Sequence, residues 1–174
     1  MAGSKGKQKT ARDMILSLGV VGIAAVIVYF LTIPHDDHAP DLKRVDYRVE
    51  LITARRAASY PVAAPEGLPS AWKATSVTYD GEYQRWHLGY QTPDGQYVQL
   101  EQSTQKPADF VDDASQGASA TSRTESIGGR TWTRYTGGRY DALVLNGTHG
   151  STTVVAGTAS FDDLTKMAAA LKTK

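Results

Sequence analysis

The chain has no cysteine. That excludes disulfide scaffolds, thiolate zinc sites, iron–sulfur clusters and cysteine nucleophiles. An excess of either charge is also missing. Lys and Arg number 19 against 18 Asp and Glu, a formal net charge of +1, so nothing points to nucleic acid as a partner. Histidine is scarce: there are four in 174 residues, and His35 and His38 share one short polar run. No G-x-S-x-G, P-loop, H-E-x-x-H or EF-hand loop occurs, and no G-x-G-x-x-G follows a strand pattern. What remains is ordinary. With 41% hydrophobic, 21% charged and 9% aromatic residues, a wholly disordered chain is excluded, and the length fits one domain.

The apolar residues are unevenly spread. Met14–Ile33 reads MILSLGVVGIAAVIVYFLTI, 20 residues without a charge. A helix of that length rises about 30 Å, the thickness of a hydrocarbon core. The run predicts a transmembrane helix, with the lipid bilayer as the partner of Met14 to Ile33. A cleaved signal peptide has a shorter apolar region, about 7–15 residues, followed by a small-x-small site. Here the exit is Thr32-Ile33-Pro34-His35-Asp36-Asp37, which favours an uncleaved signal anchor. Ala2 stands where N-myristoylation needs glycine, and a lipoprotein anchor needs a cysteine. Lys5, Lys7, Lys9 and Arg12 precede the run, whereas Asp36, Asp37 and Asp41 follow it before Lys43. The positive-inside rule then makes residues 1–13 a basic cytoplasmic tail and puts the rest outside the plasma membrane.

The span is followed by a juxtamembrane linker over 34–44 and an extracytoplasmic domain over 45–174. His35, Asp36, Asp37 and His38 have metal-ligand chemistry, but a short polar run lacks the second shell that orients ligands, and it reads as solvated linker. Val45, Tyr47, Val49 and Leu51 alternate with polar residues and predict a strand, although Leu42, Val45, Val49 and Ile52 also suit a helix. Residues 54–58 look helical. Pro61, Pro65 and Pro69 interrupt regular structure and make 65–72 an irregular approach to a strand. Trp86, Leu88 and Tyr90 alternate with Arg85, His87 and Gly89; Thr92-Pro93-Asp94-Gly95 is a turn; Tyr97–Ser103 pairs back. A strand over Arg130–Thr136 follows Gly128-Gly129. A second hairpin joins Ala142–Leu145 to Thr152–Ala156 through Asn146-Gly147. Pro107 can open a short helix through Phe110 and Val111, and Ser115–Ser126 reads as a loop. Ser160 with Asp163 caps a final helix bearing Leu164, Met167, Ala168 and Leu171, with Lys172 and Lys174 at its end. The expected fold class is α+β: an N-terminal transmembrane helix, then an antiparallel sheet closed by a C-terminal helix.

Catalytic chemistry is not assembled in the sequence. His87 and His149 sit in or beside hairpins and read as surface residues. Asp112-Asp113 suits a solvated loop and Asp162-Asp163 a helix start, so neither pair resembles converging glycosidase carboxylates. Asn146-Gly147-Thr148 matches a glycosylation acceptor, but the turn explains it as well. Trp72, Trp86 and Trp132 could form a ligand platform, with core packing as the default. No catalytic, cofactor-binding or metal residue is assigned. The candidate interaction surface is the polar face of the hairpin, Arg85, His87, Gln99 and Glu101, with the adjacent segment Thr104–Ser126.

Several stretches carry a resemblance. These are Pro65-Glu66-Gly67-Leu68-Pro69 with Trp72, the run Trp86-His87-Leu88-Gly89-Tyr90, the strand Tyr97–Ser103, Gly129-Arg130-Thr131-Trp132, and Val154–Ala159 before the helix. In this order after a basic start and an apolar span, the chain resembles the single-pass membrane proteins of actinobacteria known as domain of unknown function family 4245. The resemblance implies the topology above and no catalytic residue. A looser likeness, at the level of fold, is to extracytoplasmic domains attached to anti-sigma-factor regulators. The expected function is a membrane-anchored, non-catalytic domain that binds an envelope protein or cell-wall component. The alternatives are an accessory subunit acting through its span, and an envelope enzyme that uses His87 or His149 with a nearby carboxylate.

Overall fold

A computed structural model of the chain describes residues 14–16, 18–23 and 43–173. Two compact units are present, Met1–Pro40 and Asp41–Lys174. In the first, residues 14–16 and 18–23 are helical, and Met14, Ile15, Leu16, Leu18, Val20, Val21 and Ile23 are all exposed. Among the described residues no helix is long and apolar enough to cross a membrane. The tail over 1–13, the second half of the apolar run and the His35–His38 cluster lie outside them.

The second unit begins with α1 (Arg48–Ala57), where alternation favoured a strand; that expectation is corrected. The helix wins because Tyr47, Leu51, Ala54 and Ala58 then fall at helical spacing and all pack on the core. In a strand, Val49 would share the face of Tyr47 and Leu51; in the helix it points outward and is 72% exposed. The order continues β1 (Ala63–Pro65), β2 (Lys73–Asp80), β3 (Arg85–Gln91), β4 (Tyr97–Ser103) and α2 (Pro107–Ser115). Then come β5 (Ser119–Ile127), β6 (Arg130–Thr136), β7 (Asp141–Thr148), β8 (Ser151–Gly157), α3 (Phe161–Ala170) and β9 (Leu171–Thr173). The main sheet has seven strands in the order β2-β3-β4-β8-β7-β6-β5, with every neighbouring pair antiparallel. A small second sheet pairs β1 with β9. The fold is α+β with antiparallel sheets and a helix near its C-terminus, as the residue pattern predicts.

Three boundaries differ from expectation. Residues 119–127 form an edge strand instead of a loop. Their side chains are mostly polar and exposed, so hydrophobic alternation could not mark them, and pairing with β6 supplies the order. The β7–β8 hairpin turns at His149-Gly150, both with positive φ, instead of at Asn146-Gly147. Asn146 and Gly147 lie within β7 at a register shift, where Gly147 adopts φ +79 as bulge geometry requires. Finally, α3 stops at Ala170, so Lys172 is a strand residue opposite Ala64 and not a cation of the last helical turn; Lys174 lies outside the described residues. The cap itself forms as expected: Ser160 Oγ accepts the Asp163 N–H at 3.3 Å, and Leu164, Met167 and Ala168 are buried.

One face of the sheet carries Trp86, Leu88, Val98, Leu100, Leu143 and Val155, packed with Ala54 of α1 and Leu164 and Met167 of α3. Burial of each large side chain here contributes about 1.5–3 kcal/mol. On the other face Ala142, Val144, Val154 and Ala156 meet Phe110, Val111 and Ala114 of α2.

Candidate functional site

Arg85, His87, Gln99 and Glu101 share a face because they alternate with core residues along β3 and β4. His87 stands opposite Glu101, and Gly89 opposite Gln99. This face is not the open surface that the sequence implied. Gln99 and Glu101 are buried, with Arg85 and His87 half-buried, because α2 crosses beside them. Arg85 Nε donates to Glu101 Oε2, and its Nη1 donates to Asp113 of α2. His87 Nδ1 lies 3.1 Å from Glu101 Oε1, and Nε2 lies 2.9 Å from Ser76 Oγ. A carboxylate can only accept, so it fixes the ring proton on Nδ1 and leaves Nε2 of the neutral ring to accept from the Ser76 hydroxyl. At the other end Tyr97 donates its hydroxyl to Gln99 Oε1, and Gln99 Nε2 donates to the Ala114 carbonyl at 2.7 Å.

These bonds form two arms that leave the sheet and end on α2, at Asp113 and Ala114. A contact between Ser76 and Tyr97 joins them: burial pushes the Tyr97 hydroxyl up to about 12, and the Ser76 contact opposes that shift. Burial would lower the Arg85 pKa, but its bonds to Glu101 and Asp113 outweigh this and hold it above the ordinary value, so the guanidinium stays charged. Its carbon also lies 5.4 Å from the Phe110 ring centre, a further tie to α2.

Sequence reasoning missed Ser76 and Tyr97, and included Asp113 only as part of the Thr104–Ser126 segment. Ser76 reaches this face only because β2 bulges between Ala74 and Ser76, which turns Ser76 to the side opposite Ala74. The signal available was Ala74, Val77 and Tyr79, apolar residues whose spacing breaks strict alternation. Hydroxyl, imidazole and carboxylate follow one another in the order of an acyl-transfer relay. Two features depart from that relay. The second oxygen of Glu101 holds Arg85, and Ser76 lies within a strand and not on a sharp turn.

A different region is more concave. Residues 44–48, α1, the 65–70 loop, Trp72 and Tyr90 bound a cleft of about 560 Å³. That volume lies within the range of ligand pockets. Arg44 holds its rim by donating to the carbonyls of Ser70 and Trp72, and Arg55 donates to the Val62 carbonyl at 3.3 Å. Tyr47 packs edge-on against Tyr90 at 6.3 Å between ring centres, with Trp72 at 6.5 Å on the same ring. Burial, and then the hydrogen bond with Tyr47, push the Tyr90 hydroxyl well up. The cleft thus combines aromatic walls, Leu51 and Leu68, the guanidinium groups of Arg44, Arg48 and Arg55, and the carboxylates of Asp46 and Glu66. It draws on stretches that the sequence presented as linker and irregular chain.

The other candidates separate. Trp72, Trp86 and Trp132 are all buried in the core and do not form an open platform. Trp86 Nε1 donates to the Ala63 carbonyl at 3.0 Å. His149 is exposed beside a cavity of about 40 Å³, room for little more than one water, far smaller than the cleft. Asp162 and Asp163 occupy the first turn of α3. Among the described residues no group of three His, Asp or Glu side chains could hold a metal ion.

No curated protein and no solved structure matches the chain. A family model described as "Protein of unknown function (DUF4245)" does match, over residues 7–171. That match spans nearly the whole sequence, both units included, and the chain therefore belongs to the DUF4245 family.

Proposed function

We propose that the chain is a single-pass plasma-membrane protein whose second unit is a non-catalytic binding domain on the extracytoplasmic side. Its ligand is an envelope protein segment or a cell-wall component. The observation that carries the binding reading is the 560 Å³ cleft between α1 and the 65–70 loop, with aromatic walls and a charged rim of three Arg, Asp46 and Glu66. The anchor is supported by the 20 charge-free residues from Met14 to Ile33 and by the basic residues on one side of them. The likeness to actinobacterial single-pass proteins supports the same address.

A photo-crosslinking residue at Leu68, in the full chain in its native membrane, tests the reading. A defined envelope adduct is expected from Leu68 and not from Thr124 on β5, while protease added to spheroplasts should digest the second unit. Release of the chain by alkaline carbonate, or equal adducts from both positions, would overturn it.

The Ser76–His87–Glu101 sequence of hydrogen bonds favours one second reading, an envelope hydrolase with Ser76 as nucleophile, His87 as base and Glu101 orienting the ring. A fluorophosphonate probe decides between the two. Labelling that disappears in Ser76→Ala and in His87→Ala would establish the hydrolase; an unlabelled, folded protein would exclude it.

A further inference from the structure

We infer that α1 lies on the surface of the bilayer, with anionic lipid as its partner. This rests on the proposal that the chain is membrane-anchored. Leu51, Ala54 and Ala58 pack α1 on the core, so the opposite face of the helix is held outward. That face presents Val49, 72% exposed, and Ile52, 51% exposed, one helical turn apart. Among the described residues of the second unit, only Tyr83 is another exposed large hydrophobic. Buried apolar residues need no explanation, but an adjacent exposed pair on a helix held by its other side does.

Charge identifies what covers the pair. Residues 43–57 carry five cations, Lys43, Arg44, Arg48, Arg55 and Arg56, against Asp46 and Glu50. The remainder, residues 58–174, carries ten cations against twelve carboxylates. The positive charge is therefore local to residues 43–57, and the linker before them carries Asp36, Asp37 and Asp41. The positive charge is also little neutralised. Arg44 and Arg55 bond to backbone carbonyls, and Arg48 stands 4.0 Å from an exposed Asp46. Apolar side chains flanked by cations are what an interfacial helix offers to lipid head groups. Ten residues are short for binding from solution. Here Arg44 follows Ile33 by only eleven residues, so the chain cannot carry it more than ~40 Å from the end of the apolar run. Tethering at that range makes a weak surface contact effective.

The absence of cysteine gives a direct test. Val49→Cys, in the full chain and labelled with an environment-sensitive fluorophore, is placed in nanodiscs of phosphatidylcholine alone or with phosphatidylglycerol added. Thr124→Cys on β5 is the reference. Several-fold stronger quenching by spin-labelled lipid is expected at residue 49 than at 124. The contrast should grow with phosphatidylglycerol and shrink when Arg48→Gln and Arg56→Gln are introduced. Residue 49 as water-exposed as 124 in both lipids would overturn the inference while leaving the anchor intact. Quenching that ignores phosphatidylglycerol would overturn the anionic partner. A chain that fails to remain in the nanodisc would instead overturn the anchor, and the inference with it.

Discussion

The two faces of the seven-stranded sheet are covered by different physics. On the first, Trp86, Leu88, Leu100, Leu143 and Val155 are almost fully buried beneath Leu164 and Met167. Water exclusion and close packing hold that face, and water exclusion has no direction. On the second, Val144, Val154 and Ala156 give α2 an apolar seat, while the polar arms beside it end at Asp113 and Ala114. Apolar contact holds α2 down; hydrogen bonds decide where along the sheet it rests. A buried carboxylate such as Glu101 is tolerated only because Arg85 and His87 satisfy it.

Trp86→Ala should damage the molecule most. It empties a fully buried site on the apolar face and removes the donor to the Ala63 carbonyl, so a loss of about 3–5 kcal/mol is expected in urea unfolding. Gly157→Ala comes next and strikes both faces together. A methyl there would overlap the Tyr97 carbonyl where β8 meets β4, and we expect a loss of about 2–3 kcal/mol with faster amide exchange in both strands. A wild-type exchange pattern would mean that the strands separate without cost at that point.

Glu101→Leu probes the polar face alone. Arg85 stays charged and loses its buried partner, but it reaches solvent and keeps Asp113, so about 2 kcal/mol is expected. Adding Arg85→Met should recover part of that loss, since both charges are then gone. A double-mutant cycle with no coupling would show that this pair does not help set the position of α2. Asp163 gives the smallest effect. Its hydrogen bond from Lys166, ahead of that from Ser160, holds its carboxyl below the ordinary range. The folded form therefore binds a proton less readily than the unfolded form. The stabilisation is present above the ordinary carboxylate pKa and disappears as pH falls through the lower folded value. Thermal melts of Asp163→Asn should lack this acid-side contribution while matching the parent slope near neutrality.

Much of the fold was legible because its signals are local. The Trp86–Tyr90 alternation, the Pro93-Asp94-Gly95 turn, Pro107 opening α2 and Ser160 capping α3 each act within a few residues. Where elements were misread, pairing and packing decided, not the segment's own pattern. Residues 45–51 suited either period until Tyr47 and Leu51 met the core. Residues 119–127 had no apolar face to report, and β6 ordered them. The candidate site divides the same way. Arg85, His87, Gln99 and Glu101 could be placed on one face by alternation, whereas Ser76 needed a bulge and Asp113 needed α2 to fold across.

By itself the sequence determined the chemistry that is impossible without cysteine, the charge-free run, the strands that alternate and the helix that caps itself. These are properties of composition and of neighbours along the chain. Only the tertiary structure decided that the hairpin's polar face is partly covered by α2, that the tryptophans belong to the core, and that α1 and the 65–70 loop enclose a cleft. Each of those depends on residues from different elements being brought together, as Arg85 and Asp113 are across 28 positions, and local periodicity carries no record of which partner will satisfy a buried charge or cover an apolar face.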